Sequence, residues 1–482
     1  MKTRTRTPPQ PKVTPSSSDV DDEELGDFEE RSDDVLVQEQ IETEKNSTIK
    51  YRTCSWQKTA ALLLSEYICL AIMSFPYSYA VLGIVPGLIL TFVIAGLVLY
   101  TSMIAWRFCL AHPEIRDVCD LGRELFWQKN WAYYGTAVLF IMNNTFVQGF
   151  HCLVGAQYLN TMMSGSTCTV TLSAIMATTS FVFSLPRTFS TLSRLASLAA
   201  LSTFVSVVMA TAFAGIEPYP AGYPTNGEPV LRLFPAPGTS FVAGMNAFMN
   251  ISYTFIGQIT IPSFIAEMRE PRDFPKALYL VTAAELLVFC AVGALMCAFT
   301  GSNYATAPAF GSLADPKFKK IAFSLMVPTL VFLGVLYASV SARFVFFRLF
   351  GPSSPHRRHH TPKGWAAWAA VLAGTWVAAF VIAELVPFFS DLLALMSSLF
   401  DSFFGFVFWA AAYVQLRREK YGEGFWRERG IRGYVGIVFN MGLVGVGGVF
   451  LIGGTYASVQ SIIDGYRQNG FGGAFTCASN GL

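Results

Sequence analysis

Eleven apolar runs, each roughly the length a helix needs to cross a bilayer, leave this chain little choice but to fold within a membrane. They lie at about residues 58–82, 84–106, 131–159, 169–185, 195–216, 241–266, 276–300, 319–342, 365–387, 391–414 and 433–457. Backbone N–H and C=O groups cannot stay bare in hydrocarbon, so runs of this length imply an all-α polytopic membrane protein. The run at 169–185 is short and rich in Ser and Thr, which leaves counts of ten or twelve open. Composition agrees, with 53% hydrophobic and 14% charged residues against roughly 25% charged in a soluble domain. The formal charge of +2 is carried by short loops between apolar runs, so no nucleic-acid partner is indicated. No separate catalytic domain has room, and the chain does not read as an enzyme.

Residues 1–50 differ from the rest. Pro8, Pro9, Pro11 and Ser16 to Ser18 lead into acidic stretches at Asp19 to Glu24 and Glu29 to Asp34, the composition of a disordered tail. No apolar core follows within the first 30 residues, so this is no signal peptide and the first run acts as an uncleaved anchor. With the N-terminus cytosolic, the inside loops hold Arg107, Arg116, Arg123, Lys129, Arg187, Arg194, Arg269, Arg272, Lys276, Arg343, Arg348, Arg357, Arg358, Lys363 and the run from Arg417 to Arg432. The outside loops keep Arg232, Lys317, Lys319, Lys320 and Arg467. This asymmetry predicts a cytosolic N-terminus and, for eleven spans, an extracellular C-terminus. The sequons at Asn46, Asn143 and Asn250 then fall in the cytosol or the bilayer, and none is expected to carry sugar.

Two of the runs are interrupted. Leu70-Ala-Ile-Met-Ser-Phe-Pro-Tyr-Ser-Tyr79 carries Pro76 inside the first run, and Phe255-Ile-Gly-Gln-Ile-Thr-Ile-Pro262 carries Gly257 and Pro262 inside the sixth. Unwound backbone at membrane depth persists only where it faces protein, water or a solute, and broken helices of this kind form transporter sites. The first and sixth runs point in opposite directions and each is followed by four more. Spans 1–5 (residues 51–216) and 6–10 (241–416) can therefore be inverted copies, the five-plus-five arrangement of the LeuT-like fold. An extracellular loop at 217–240, a cytosolic loop with an eleventh helix at 417–463, and an extracellular tail at 464–482 complete the expected organisation.

The segments Trp56-Gln-Lys58, Leu64-Ser-Glu66, Ala71-Ile-Met-Ser-Phe-Pro-Tyr-Ser-Tyr-Ala-Val-Leu-Gly83 and Val85-Pro-Gly87 resemble the first-span signature of the amino acid/auxin permease family. Phe255 to Lys276 resembles its sixth span and following loop. The similarity covers about residues 50–460 and is nearest to fungal neutral amino-acid permeases of the methyltryptophan-resistance type. Ala71 replaces the Gly usual in the first break. The resemblance implies a secondary active importer of neutral amino acids, driven by protons, in the plasma membrane, although some relatives work at the vacuole. The rival class is an amino-acid sensor of the same fold that binds without transport. The partners implied are an amino acid, a coupling proton and the lipid bilayer, with no cofactor; oligomeric state is left open.

A zwitterion needs separate partners for its two charges and its side chain. Backbone N–H groups at Ser74, Phe75 and Tyr77 suit the carboxylate, because the start of a half-helix offers orphan donors and a favourable dipole. Carbonyls near Ala71, Ile72, Tyr253 and Thr254 suit the ammonium. Tyr253, Phe255, Ile256 and Gly257 at the second break, Asn143, Asn144 and Gln148 in the third span and Tyr337 in the eighth are candidates for the pocket. Asn144 and Gln148 share a helix face, and interhelical hydrogen bonding is their alternative use.

Ionisable groups within spans are costly and mark functional candidates. Glu66, His151, Glu267, Glu285 and Asp401 are the proton-coupling or gate candidates. Glu66 precedes Pro76 by ten residues, about 15 Å along a helix, which suits an inner gate; the alternative is a structural bond to a neighbouring span. Glu384 and Asp391, near span ends, read as gate or interface residues. Nine cysteines include no CxxC pair, so neither zinc nor a redox dithiol is indicated. Cys168 and Cys477 both fall outside, in an oxidising compartment, and a disulfide between them is expected. His112-Pro-Glu-Ile-Arg-Asp117 has an acyltransferase-like spacing but no phosphate loop, and the His356–His360 tract, with arginines interleaved, reads as a topology anchor.

Overall fold

The computed structural model describes residues 54–187, 192–223, 230–351, 354–427, 430–468 and 473–482. The acidic tail at 1–50 and the sequon at Asn46 lie outside the described residues. Among the described residues the elements are helical, and eight helices are long and apolar enough to span a membrane, or nine with one bent pair. That pair is α1 (Trp56–Tyr67) and a 3-10 turn (Leu70–Ser74) running into α2 (Phe75–Leu82), bent by 43°. There follow α3 (Ile84–Ala111), a short α4 (Val118–Leu125), α5 (Asn130–Met162), the shorter apolar α6 (Thr169–Ser184) and α7 (Leu192–Ile216). The second broken pair is α8 (Phe241–Phe255) and α9 (Ile261–Glu267), too short singly to span. Next come α10 (Phe274–Thr300), α11 (Pro316–Ser324), α12 (Val327–Leu349) and α13 (Pro362–Leu385). The chain closes with α14 (Phe389–Met396), a π-helical stretch (Ser397–Val407), α15 (Phe408–Tyr421), α16 (Gly430–Val449), a second π stretch (Phe450–Gly454) and α17 (Thr455–Gln468).

The first interruption differs from its sequence expectation. The α-helix stops at Tyr67 and resumes at Phe75, so the interruption begins at Ile68 and Cys69, two residues ahead of the expected stretch, and runs into it through the 3-10 turn Leu70–Ser74, while Pro76 sits in the first turn of α2. Pro262 likewise occupies the first turn of α9. Proline is tolerated there because a first-turn N–H has no intrahelical acceptor to lose. Both prolines thus mark where a half-helix restarts, not where its predecessor stops. The expected single run at 319–342 is also divided, at Leu325–Met326, with Pro328 restarting α12.

An aromatic cluster ties the two broken spans to α10. Phe75 lies 6.3 Å from Phe255 and 5.1 Å from Phe289, and Phe255 lies 5.1 Å from Phe289, centroid to centroid. Edge and tilted contacts of this kind add about 0.5–1.5 kcal/mol each beyond burial. Gly83, between α2 and α3, has φ +82°, and a Cβ there would stand 2.5 Å from the backbone of Phe234. Glycine permits that approach, and the 230–234 segment then supplies Arg232 and Leu233 carbonyls to the N–H groups of Ile84 and Val85.

At the molecular end that holds the α5–α6 turn, Cys168 and Cys477 are joined by a disulfide. Asn160 donates to Asn480 Oδ1 at 2.8 Å and the Leu482 N–H to Thr161 Oγ1 at 3.0 Å, so the last ten residues lie across the ends of α5 and α6. At the opposite end, Cys54 pairs with the α9 terminus through Glu267 O and the Arg269 N–H. There the Arg187 guanidinium stacks 4.5 Å from the Phe346 ring and that of Arg348 4.1 Å from Tyr133.

Candidate functional site

A cavity of about 50 Å³ opens where the two interruptions meet. Its wall is Glu66, Tyr67 and Cys69 from the first, Val147, Phe150 and His151 from α5, Tyr253, Thr254, Ile256 and Gly257 from the second, and Leu333 and Tyr337 from α12. These residues come together because α1 and α8 both end in unwound backbone beside α5 and α12. Gly257 makes the close approach possible. A Cβ there would stand 1.9 Å from Tyr67 Cε1, so any larger residue displaces the Tyr67 ring or the linker.

Glu66 is the electrostatic centre. Tyr337 Oη donates to Oε1 at 2.7 Å and Thr260 Oγ1 donates to Oε2 at 3.1 Å. One carboxylate thereby joins the end of α1, the α8–α9 linker and the middle of α12. It adjoins the break itself, and the 15 Å offset expected from counting back to Pro76 does not apply, because the break lies earlier in the chain. Across the cavity, His151 is buried and its Nδ1 has no partner among the described residues. In the linker, the N–H groups of Gly257, Gln258 and Ile259 have no partner among the described residues, whereas Gly257 O accepts from the Thr260 N–H and, at 2.9 Å from Oγ1, shares the single hydroxyl proton of Thr260 with Glu66.

Other sequence candidates lie elsewhere. The Phe75 N–H bonds Ile72 O and Ser74 Oγ donates to Ala71 O at 2.7 Å, so the 3-10 turn uses groups expected to serve the zwitterion. Phe75 and Phe255 are fully packed in the aromatic cluster, and Tyr77 lies on α2 beyond the cavity wall. Asn144 donates to Ser341 on α12 at 3.0 Å, and Gln148 Nε2 to the Asn144 carbonyl at 3.2 Å; neither lines the cavity. Asn144 is thus used between helices, whereas the Gln148 bond stays within α5 and its buried Oε1 has no partner among the described residues. Asn143 donates weakly to Asn144 Oδ1 at 3.4 Å. Glu285 and Asp401 are buried off the cavity, with Oε1 and Oδ2 respectively unpartnered among the described residues. Glu267 is exposed at the end of α9, where its carbonyl accepts from Cys54.

Sequence reasoning missed Tyr67, Cys69, Val147, Phe150, Thr260 and Leu333. The spacing of Val147, Phe150 and His151 is that of one helix face, a signal hidden by the more polar pair Asn144 and Gln148 on the neighbouring face.

Residues 52–453 match the family described as "Transmembrane amino acid transporter protein". The chain is 28% identical over 436 residues to the "N amino acid transport system protein" of Neurospora crassa, covering 89% of each. It is 27% identical to a "Transmembrane transporter" of Gibberella moniliformis over 436 residues, covering 90% of this chain and 89% of that protein. A "Transmembrane transporter" of Fusarium pseudograminearum is 27% identical over 433 residues, covering 90% of this chain and 88% of the relative.

Proposed function

We propose that this chain, which belongs to the transmembrane amino acid transporter family, imports neutral aliphatic and aromatic amino acids by alternating access, coupled to protons. The observation that carries this reading is the cavity at two helix breaks with the Glu66 carboxylate in its wall. Free linker amides at Gly257, Gln258 and Ile259 suit the substrate carboxylate. The carbonyl of Thr254, at the electronegative end of α8, suits its ammonium, with the lone pair that Tyr253 O keeps beyond its bond from the Ile256 N–H beside it. Val147, Phe150, Ile256 and Leu333 offer an apolar wall for the side chain, and such a wall favours neutral substrates.

Glu66 is our choice for the proton carrier. As a carboxylate it accepts from both Tyr337 and Thr260; a proton on either oxygen removes an acceptor position and loosens the tie between α1, the linker and α12. His151, across the cavity, is a second group able to exchange a proton with it. The proposed frame is a LeuT-like inverted repeat of residues 51–216 and 241–416 with an additional eleventh span. The N-terminus is cytosolic and the C-terminus extracellular, in the plasma membrane. The disulfide at Cys168 and Cys477 accords with an oxidising exterior.

The test is uptake of labelled leucine, phenylalanine or tryptophan into proteoliposomes under an imposed pH gradient. Accumulation that a protonophore collapses is expected, with Tyr253→Ala weakening apparent affinity and Glu66→Gln removing the pH dependence. Binding without accumulation would favour a sensor. Uptake indifferent to the protonophore, or both variants behaving as wild type, would refute the assignments.

A further inference from the structure

We propose that Asp391 is the centre of a second site, outside the cavity, that takes a monovalent cation, a proton or a sodium ion, where α8, α14 and α17 meet. Asp391 Oδ1 accepts from Asn246 Nδ2 on α8 at 3.2 Å and from Ser461 Oγ on α17 at 2.9 Å. Ser458, one turn before Ser461, donates to Asn246 Oδ1 at 3.3 Å. One turn deeper on α8, Asn250 Nδ2 donates to Ser390 Oγ at 2.6 Å, while its Oδ1, fully buried, has no partner among the described residues. Two amides four residues apart on α8 therefore face a hydroxyl and a carboxylate adjacent on α14, with two α17 hydroxyls closing the side.

No side-chain cation compensates the charge among the described residues. Asp391 stands half-buried in the first turn of α14, where the helix dipole offsets its charge in part, and it makes no salt bridge among the described residues although it packs between helices that span the membrane, where a carboxylate is costly. Among titratable groups on the packed elements, Tyr77 of α2 lies near it, and Asp401 lies further along its own helix, in the π stretch. His151 of α5 and Tyr253 of α8 line the cavity instead. On α17, Asp464 is held by Gln460, Tyr466 donates to the Glu384 and Leu385 carbonyls, and Arg467 is exposed. None supplies a positive charge to the carboxylate. A proton on the second oxygen does so; a sodium ion does so too, with Ser390, Ser461 and Asn250 supplying oxygens of the type hard cations prefer. Because the cluster joins the first half of a broken span to α14 and α17, cation binding there biases how α8 is held. That role in transport rests on the reading above, whereas the site itself does not.

The test needs no substrate. The melting temperature of the full chain in detergent is measured from about pH 5 to about pH 8, in sodium chloride and in choline chloride, for wild type, Asp391→Asn and Ser461→Ala. A bound cation stabilises in proportion to the logarithm of its concentration. Sodium-dependent stabilisation in wild type that Asp391→Asn abolishes identifies a sodium site; stabilisation by acid alone, abolished by the same change, identifies a proton site. Ser461→Ala, which removes one donor and leaves the carboxylate, should shift the midpoint of either dependence several-fold, and it serves if Asp391→Asn does not fold. Wild-type melting indifferent to both ions, or both variants keeping the wild-type midpoint, overturns the proposal, whether or not the protein transports amino acids.

Discussion

At the scale of single residues, the Glu66 clamp is the contact whose removal says most. Tyr337 and Thr260 each give one hydrogen bond to a half-buried carboxylate, and bonds to charged groups contribute about 1.5–3 kcal/mol. Tyr337→Phe removes the shorter bond without opening much space, so it should lower thermal stability and alter the pH dependence of uptake, with Thr260→Val doing so less. A double-mutant cycle between Tyr337→Phe and Glu66→Gln should return a coupling of about 1 kcal/mol or more; a value near zero would dissolve the clamp. At the molecular end away from the disulfide, His112 caps α3, and its Nε2 lies 3.1 Å from Glu419 and its Nδ1 3.4 Å from Glu114. Burial opposes a charge on the ring, but the Glu419 hydrogen bond and the charges of Glu419, Glu114 and Glu124 outweigh it, raising the pKa above the ordinary histidine value. A raised histidine stabilises fully below its unfolded pKa, about 6.5, and loses that contribution as pH rises through the folded value. Glu419→Gln should therefore flatten the fall in melting temperature on the alkaline side of about pH 6.5. The effect should be about 1 kcal/mol or less, since Glu419 is partly exposed and screened; an unchanged slope in the variant would show that the pair contributes nothing.

At the scale of elements, the interruptions bring the two broken spans together, and Gly257 is where one is most constrained. Because a Cβ there meets the Tyr67 ring at 1.9 Å, Gly257→Ala must push the end of α1 away from the α8–α9 linker, an overpacking cost of about 1–3 kcal/mol. The variant should fold with a lowered melting temperature and lose most uptake, and Tyr67→Ala in the same chain should restore the melting temperature more than it restores uptake. A Gly257→Ala protein with wild-type melting and uptake would mean the linker does not hold this packing. The length of the apolar runs made the helices legible in the sequence, since solvation of the backbone leaves no other choice. The proximity of Pro76 and Pro262 to the breaks was legible as well, but not their position relative to the unwound residues, because proline fits a helix start as well as a helix end. The partners of Glu66 were not legible at all: Thr260 and Tyr337 are 194 and 271 residues away in the chain, and nothing local in either marks the contact. The use of Asn144 and Gln148 was open in the sequence for the converse reason, since polar residues in a span look alike whether they face a solute, their own helix as Gln148 does, or another helix as Asn144 does.

At the scale of the whole molecule, burial separates an interior from a rim. The α5 window is 72% buried and that of 389–424 is 78% buried, whereas those of 362–385 and 430–467 are each 28% buried and leave their apolar residues for lipid. The cavity lies against the interior side, and at about 50 Å³ it has room for a few waters but falls far short of the roughly 300 Å³ at which ligand pockets begin. A protein that carries amino acids must therefore visit conformations in which this wall has moved. On the proposed alternating access, the half-helices α1 and α9 move it by pivoting at the non-helical residues Ile68–Cys69 and Ile256–Thr260. Cys69 is a built-in reporter, since it stands in one hinge and in the cavity wall, while Cys54, Cys109, Cys119, Cys152 and Cys297 are buried and Cys290 is half-buried. In a Cys290→Ser background, a small methanethiosulfonate reagent should label Cys69 in membrane vesicles, and saturating leucine or phenylalanine should slow that labelling several-fold by occupying or closing the same space. Labelling that persists in a Cys69→Ser chain, or that ignores the amino acid, would mean that the wall at Cys69 does not open to the solute.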